Sequence, residues 1–342
     1  MTGPRVAIVG AGLMGRWHAD AARHAGARIV AVVDPVIEAA RAIAGGDVPV
    51  YPSLAPALEP AVDVVHICTP LQSHVALTRQ ALAAGCHVLV EKPATPTAAE
   101  AESLATAARS AGRLLVPVHQ FAFQEGIRRI IARRDAIGPL RHVEFATCSA
   151  GADRSPAPDR DLIAAEIVPH AFSLARALLQ TSVGGLAWHL ERAAAGEWRF
   201  SATTAGGCTI SGLISMAGRP PFATCRVLGE HGSAVADLFQ GFAVFEPDTA
   251  STSYKVMRPL AVGLGTASAA AWQLAGRAVR RERAYPGLRS LCAATYGAMS
   301  GGGAAPFPDD ELVDVAVARD QVMALAATPV PEAARPRAPT AR

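Results

Sequence analysis

The chain has 342 residues, 51% apolar and 18% charged, which is enough for two folded domains and excludes disorder for most of its length. Its 32 basic and 29 acidic side chains nearly balance, so the net charge of +3 does not indicate nucleic-acid binding. The six cysteines form no C-x-x-C pair, and Met1 to Pro4 lead directly into a predicted strand without a signal sequence. A soluble protein of the reducing cytoplasm is therefore expected.

A glycine-rich turn follows the first predicted strand, Arg5–Val9, and opens a helical pattern that runs to about Ala25. The turn reads Gly10-Ala11-Gly12-Leu13-Met14-Gly15. Its first glycine permits a tight turn, the second lets a pyrophosphate approach the backbone, and the third lets the helix pack on the strand. The helix N-terminus then offers N–H donors to the phosphates.

A carboxylate ends the next predicted strand, Ile29–Val33, at Asp34, 19 residues after Gly15. It would accept hydrogen bonds from the ribose hydroxyls of adenosine and would repel a 2′-phosphate, and no arginine follows directly. The pattern predicts a site for NAD in preference to NADP. The alternative is a glycine turn in a flavodoxin-like fold that binds no dinucleotide.

Strands and helices continue to alternate up to about residue 120. We expect Ser73 to cap a helix that ends near Ala84, and Thr97 with Glu100 to form a capping box. Further strands are predicted at 50–51, 61–68, 86–90 and 114–118, the last at an edge because it contains Pro117. Six such strands predict an α/β Rossmann fold with a doubly wound parallel sheet.

The motif Glu91-Lys92-Pro93 closes the apolar run Cys86–Val90. Open α/β sheets bind ligands beyond the carboxyl ends of their strands, so Lys92 should face a cleft. The proline keeps the backbone before it extended. Lysine is scarce here, since Lys255 is the only other one, and a partly desolvated lysine can release a proton where arginine cannot. An ordinary solvated lysine is the alternative.

Beyond Phe121, runs with period two replace the alternation of strands and helices. Helices are expected at 125–136, 162–180 and 311–327, the last capped by Asp309-Asp310, and a loop at 153–161. Strands are expected at 140–146, 186–190, 198–204, 208–215, 223–228 and 234–245. These features predict an α+β domain with a mostly antiparallel open sheet. The predicted domains are thus 1–120 and 121–327, followed by a disordered tail at 328–342.

The segment 259–276 carries no charge, and an arginine cluster at 277–283 follows it. Because the segment is rich in small residues and in Ser and Thr, we expect a buried helix with a solvated, arginine-rich end and not a membrane span. Contact of 259–283 with a membrane surface or within an oligomer is the alternative. No metal site is expected: His66, His87 and His119 lie on strands, where packing is the expected role, and no zinc spacing is present.

These motifs in combination resemble the Gfo/Idh/MocA oxidoreductases, a family that includes glucose–fructose oxidoreductase and inositol dehydrogenase. The matching segments are the glycine turn with Trp17-His18, Cys68-Thr69-Pro70 with His74, Gly85 to Pro93, and Gly138-Pro139-Leu140. The resemblance implies that Thr69, Pro70, His74 and Gln120 lie at the cofactor. It also implies that Glu91 contacts the nicotinamide ribose and that Lys92 is catalytic beside the nicotinamide.

In the family, a second-domain motif of Asp, three residues and His supplies further polar groups. Its counterpart is Glu166-Ile167-Val168-Pro169-His170, with Glu in place of Asp, Val168 in place of Gly, and Ser173 where an Asp often follows. Ala122 stands where many relatives carry Arg. The resemblance implies that His170 is the base, oriented by Glu166, and that Lys92 bonds to the same substrate oxygen. A helix-face histidine capped by Glu166 is the alternative.

The resemblance implies an NAD-dependent dehydrogenase acting on a secondary hydroxyl of a sugar, cyclitol or nucleotide sugar. Two other functions stay open on the same fold. One is a redox-assisted glycosidase or isomerase that retains NAD, and the other is a non-enzymatic regulator that senses the dinucleotide. As in relatives, the open antiparallel sheet is expected to form a homodimer or homotetramer.

Overall fold

Two β-sheets organise the chain. A computed structural model describes residues 3–59, 61–149, 157–248 and 251–327. The first sheet is entirely parallel, in the order β3-β2-β1-β4-β5-β6. Its strands are β1 (Arg5–Val9), β2 (Arg28–Val33), β3 (Val50–Tyr51), β4 (Val64–Ile67), β5 (His87–Val90) and β6 (Leu115–Pro117). The predicted Rossmann sheet is confirmed, with Pro117 on an edge strand.

Helices connect these strands: α1 (Leu13–His24), α2 (Ile37–Ala44), α3 (Leu54–Ala57), α4 (His74–Ala83) and α5 (Ala98–Ala111). The capping box is present, since Thr97 Oγ1 accepts from Glu100 N–H and Glu100 accepts from Thr97 N–H. The predicted cap at Ser73 is wrong. A 3₁₀ turn (Leu71–Ser73) precedes α4, and Ser73 Oγ donates instead to Thr69 Oγ1 and Pro70 O, at 2.7 and 2.8 Å.

The second sheet has seven strands in the order β13-β12-β11-β7-β10-β9-β8. They are β7 (Leu140–Cys148), β8 (His189–Ala194), β9 (Glu197–Thr203), β10 (Thr209–Ser215), β11 (Phe222–Gly229), β12 (Gly232–Asp237) and β13 (Phe242–Pro247). Only β7 and β10 pair in parallel, as the prediction of a mostly antiparallel sheet requires.

One predicted strand, 234–245, is in fact a hairpin of β12 and β13. The carboxylate of Asp237 accepts from the N–H groups of Phe239 and Gln240, at 2.9 and 2.8 Å, and Gly241 takes a positive φ of 83°. These turn bonds reverse the chain between two apolar runs.

Six further helices complete the described structure: α6 (Glu125–Ala132), α7 (Arg134–Ile137), α8 (Ala157–Leu179), α9 (Thr252–Arg280), α10 (Leu288–Met299) and α11 (Glu311–Ala326). The loop predicted up to Asp161 is wrong over 157–161, which belongs to α8, because Asp161 accepts from Trp198 Nε1 and Gly196 N–H, both at 2.8 Å. Residues 153–156 of that loop and the tail 328–342 lie outside the described residues.

The prediction of a buried helix near 259–276 is wrong. Helix α9 lies on the surface, with Trp272 81% and Leu264 72% exposed, and within it only Gln273 and Arg277 are buried. Among the described residues, one helical stretch, Asp159–Leu179 in α8, is long and apolar enough by length and composition to cross a membrane. Two thirds of its apolar window (67%) is buried inside the protein.

Helix α10 packs on the first sheet although it follows the second in sequence. Leu288, Leu291 and Cys292 belong to the same apolar core as β1, and Arg289 Nη2 lies 2.7 Å from Asp20 Oδ2 on α1. The predicted boundary at residue 120 therefore does not separate the chain into two structurally independent halves.

Candidate active site

A cleft of about 650 Å³ lies at the carboxyl end of the parallel sheet, where the segments after β4, β5 and β6 meet α8 and the segment 277–286. In a doubly wound sheet the chain leaves β1 and β4 toward opposite sides, so their carboxyl ends form a natural crevice. Nine predicted site residues line the cleft: Met14, Thr69, Pro70, His74, Glu91, Lys92, Gln120, Glu166 and His170.

The glycines of the turn after β1 have different physical reasons. A Cβ on Gly10, whose φ is +96°, would lie 2.7 Å from Cys68 O, and one on Gly15 would lie 1.9 Å from Gly10 O. The protein's own backbone therefore excludes side chains at these two positions. A Cβ on Gly12 would meet no atom within 4 Å, which leaves open space there for a ligand. Leu13, next to it, is largely exposed.

Asp34 ties the end of β2 to this turn. Its Oδ2 accepts from Ala11 N–H at 2.7 Å, and its Oδ1 accepts from Val36 N–H at 2.8 Å. The carboxylate is half-buried and held beside the glycine turn. This arrangement, with open space at Gly12, fits the adenosine and pyrophosphate portion of NAD.

His74 joins the two turns that carry the Thr-Pro and Lys-Pro pairs. Its Nε2 lies 2.8 Å from Thr69 O and its Nδ1 lies 2.9 Å from Pro93 O, while the ring is buried. Both ring nitrogens are engaged in these contacts. His74 therefore holds the wall of the cleft together.

Glu91 is only 6% exposed. Burial raises the pKa of its carboxyl, but the hydrogen bond from His18 and the charge and backbone N–H of Lys92 together lower that pKa below its usual value. Oε1 lies 3.1 Å from His18 Nε2, and Oε2 accepts from Lys92 N–H at 3.0 Å. At neutral pH Glu91 is therefore an anionic acceptor at the cleft.

Lys92 reaches across the cleft to α8, where its Nζ donates to Glu166 O at 3.2 Å. Pro169 explains part of this contact site. Because proline lacks an N–H, the carbonyl of Ala165 loses its helical donor, and Arg319 Nε from α11 donates to it at 3.4 Å. The helix thus presents carbonyls to side chains from other elements at this turn.

His170 is 7% exposed and stacks on Phe121, with ring centroids 4.3 Å apart and planes at 25°. Burial, followed by the charges of Lys92 and His119, holds its pKa well below the usual value. The ring is therefore neutral at pH 7 and able to accept a proton. Its buried Nδ1 has no hydrogen-bond partner among the described residues, nor does the buried Oε1 of Gln120.

The predicted orientation of His170 by Glu166 does not appear in this geometry. Glu166 borders the cleft with an exposed side chain, and within the described ranges no hydrogen bond joins it to His170. Stacking on Phe121 orients the imidazole instead. The catalytic roles of Glu166 and His170 stay predictions.

A carboxylate that the sequence did not reveal lies behind the cleft. Glu311 is buried, and its Oε1 lies 2.9 Å from His119 Nδ1 and accepts from Ser173 Oγ at 2.8 Å. Arg176 Nε lies 2.8 Å from the other oxygen. Ser173, which replaces a frequent Asp, thus contacts a carboxylate from α11. The predicted cap at Asp310 is wrong, because its carboxylate pairs with Arg176.

The far wall of the cleft carries arginines that were not predicted as site residues. Arg277 is buried, and its Nη1 donates to Gln240 Oε1 at 2.8 Å. Arg283 is exposed and pairs with no carboxylate in the part of the chain that the structure describes. This wall is therefore positively charged.

Comparison with known proteins identifies the first sheet. The Gfo/Idh/MocA family model, described as an oxidoreductase family with an NAD-binding Rossmann fold, matches residues 4–119. Inositol 2-dehydrogenase 4 of Saccharopolyspora erythraea is 40% identical over 119 residues, which cover 33% of this chain and 35% of that protein. The chain thus matches about a third of the length of this curated relative. Residues 4–119 therefore match the NAD-binding Rossmann domain of this family.

Solved structures extend the likeness in fold to nearly the whole chain. UDP-N-acetylglucosamine 3-dehydrogenase from Acidithiobacillus ferrooxidans has a TM-score of 0.73 at 20% identity, covering 94% of this chain and 97% of its own. Levoglucosan dehydrogenase, in complex with NADH and levoglucosan, has a TM-score of 0.73 at 17% identity, covering 95% and 97%. The second sheet therefore has the same architecture as in these proteins.

Proposed function

We propose that this chain, whose residues 4–119 belong to the Gfo/Idh/MocA family, is an NAD-dependent dehydrogenase for a secondary hydroxyl of a sugar, cyclitol or nucleotide sugar. The observation that carries the proposal is that Lys92 and a buried His170 of lowered pKa line one cleft with the ionised Glu91, at the carboxyl end of a Rossmann sheet.

The residues that would hold NAD are the turn Gly10–Gly15, Asp34 and Glu91. Bound NAD supplies the acceptor for the hydride. Asp34 has acceptor capacity left for ribose hydroxyls, and Glu91 accepts hydrogen bonds at the other end of the same sheet edge. The lack of an arginine directly after Asp34 favours NAD over NADP.

Two side chains divide the proton chemistry of the proposed reaction. A neutral His170 takes the proton of the substrate hydroxyl, since its lowered pKa keeps it deprotonated at pH 7. Lys92 stabilises the negative charge that develops on the same oxygen. Its charge also keeps the proton off His170 before substrate binds, so the two roles support each other.

The positive wall favours a substrate that carries an anionic group. Arg283 is free to pair with a carboxylate or phosphate, and the buried Arg277 lies beside it. Among the polyols, this wall supports a sugar acid or a nucleotide sugar over a neutral inositol. The name of the relative from Acidithiobacillus ferrooxidans agrees with this choice.

The same site would also serve an internal redox cycle with retained NAD, as in a redox-assisted glycosidase or isomerase, or a dinucleotide-sensing regulator. No specific contact favours either over a dehydrogenase. We further propose a cytoplasmic protein, because all six cysteines are free thiols, and a homo-oligomer formed through the open face of the second sheet.

The test is NADH formation by the purified chain against neutral polyols, sugar acids and nucleotide sugars, followed by absorbance. We expect anionic substrates to react, and Lys92→Ala to reduce turnover by roughly 100-fold or more while NAD still binds. Lys255→Ala, at the only other lysine and on the surface helix α9, is the matched control and should react normally. If the wild type binds NAD but none of the tested substrates leads to NADH formation, the dehydrogenase assignment fails.

A further inference from the structure

Four buried polar side chains, Glu91, His18, His66 and Tyr296, form a hydrogen-bonded network that crosses the core of the first sheet. We call it the Glu91 network. Glu91 Oε1 lies 3.1 Å from His18 Nε2, His18 Nδ1 lies 2.9 Å from His66 Nδ1, and the Tyr296 hydroxyl lies 2.9 Å from His66 Nε2. Both histidines are fully buried, and Tyr296 is 7% exposed. Such groups cost free energy in an apolar core unless each has a partner.

These residues come from four separate elements. His18 lies in α1, His66 in β4, Glu91 directly after β5 and Tyr296 in α10. Local secondary structure therefore does not account for their meeting. Helix α10 follows the second sheet in sequence but packs on the first sheet, and this packing brings Tyr296 into the Glu91 network.

The direction of the hydrogen bonds follows from the ionised carboxylate. A carboxylate only accepts, so His18 carries a proton on Nε2. Only one proton fits between the two Nδ1 atoms. If each histidine carries a single ring proton, His66 supplies that proton, which leaves its own Nε2 bare and requires the Tyr296 hydroxyl to donate. Each of the four groups then faces a group of the opposite kind.

A single ring proton on each histidine adds no further charge to this buried region. Lys92 already lies beside Glu91 as a positive charge, and an imidazolium would add a second one at a fully buried site. Burial lowers the pKa of His66 well below, and raises that of Tyr296 well above, the usual values. The thiols of Cys68 and Cys292 also face this region with raised pKa values and stay protonated.

We infer that Tyr296, His66 and His18 are positioning residues that fix Glu91 in one orientation, as the acceptor for a hydroxyl of the bound cofactor. The identity of that ligand rests on the proposed function. The Glu91 network itself consists of contacts within the protein and does not depend on that ligand. With Oε1 held by His18 and Oε2 by the N–H of Lys92, the carboxylate cannot rotate, and its remaining lone pairs point in fixed directions.

The Glu91→Gln variant tests the Glu91 network through its effect on a residue that does not contact Glu91, His66. The N–H of Lys92 requires an oxygen at the position of Oε2, so the new amide NH₂ must take the position of Oε1 and donate to His18 Nε2. The donor and acceptor roles along the whole Glu91 network must then reverse. The proton of His18 moves to Nδ1, that of His66 moves to Nε2, and Tyr296 becomes the acceptor.

The measurement is ¹⁵N NMR of the full chain with labelled histidine, in the absence of cofactor, with signals assigned by single substitutions of His18 and His66. We expect His66 to carry its proton on Nδ1 in the wild type and on Nε2 in Glu91→Gln. A wild-type His66 protonated on Nε2, or an unchanged tautomer in the variant, overturns the inference.

A second measurement uses NAD affinity. Tyr296→Phe keeps the ring but removes the hydroxyl donor. NAD should then bind about three- to tenfold more weakly, because the Glu91 network loses one hydrogen bond. Tyr254→Phe, in α9, is the matched control and should bind NAD as the wild type does. Equal affinity of the two variants contradicts the positioning role. A protein without dehydrogenase activity would refute the proposed function, but the expected histidine tautomers would stay the same.

Discussion

Gly12→Ala separates the cofactor role of the glycine turn from its role in folding. Gly12 has φ −73°, which alanine adopts without strain, and the added Cβ would meet no atom within 4 Å. The substitution should therefore leave the free energy of unfolding unchanged or raise it by about 0.4–1 kcal/mol, through the lower entropy of the unfolded chain. Bound NAD would instead meet the new methyl group where its pyrophosphate approaches the backbone.

Overpacking of this kind costs about 1–3 kcal/mol, so the dissociation constant for NAD should rise about 5- to 150-fold. Calorimetric titration with NAD and urea denaturation measure the two effects separately. Gly15→Ala should fail to fold stably, because its Cβ would lie 1.9 Å from Gly10 O, whereas Gly263→Ala on α9 should change neither NAD affinity nor the fold. If Gly12→Ala folds and binds NAD with wild-type affinity, the pyrophosphate does not pass over this turn.

Two further predictions concern charge. Asp34→Ser should weaken NAD binding about tenfold and reduce the discrimination against NADP, measured as the ratio of their dissociation constants, because the ribose loses its carboxylate acceptor; an unchanged ratio would contradict the role of Asp34. Lowering the pH from about 6.5 should destabilise the fold, because His66 and His170 have depressed pKa values and resist protonation while the unfolded chain takes up protons. Urea denaturation should show a loss of up to about 1.4 kcal/mol per pH unit for each histidine, and His170→Asn should reduce that slope; equal slopes would argue against the buried neutral ring.

The parts of the fold that the sequence predicted correctly depend on short-range chemistry. The capping box needs only Thr97 and Glu100, three residues apart, and the glycine turn needs only its neighbours on β1 and α1. The cap at Ser73 failed because a 3₁₀ turn takes the hydroxyl toward Thr69, a choice that the pattern of residues does not encode. The hairpin inside 234–245 could have been predicted, because Asp237 and Gly241 are turn residues that separate two apolar runs.

The missed parts of the site depend on contacts between distant segments. Glu311 reaches His119 across 192 residues and Ser173 across 138, and Tyr296 reaches His66 across 230. One signal was available: Ser173 replaces an Asp in the expected motif, so a carboxylate from elsewhere was needed to pair with the cations behind the cleft. Its source could not be read from sequence spacing. Helix α9 was misplaced because an uncharged, alanine-rich stretch fits a buried helix and an exposed one equally well.

In the proposed function, substrate selection rests with residues outside the stretch that matches the family. The match ends at residue 119, and the cofactor side of the cleft, including Glu91 and Lys92, lies within it. The opposite wall is built from α8 and from the segment that carries Arg277 and Arg283. We propose that those arginines bind the anionic group of the substrate, independently of the glycine turn and of Asp34. Exchanging Arg283 should therefore change which substrates react while leaving NAD affinity constant, and exchanging Gly12 should do the reverse.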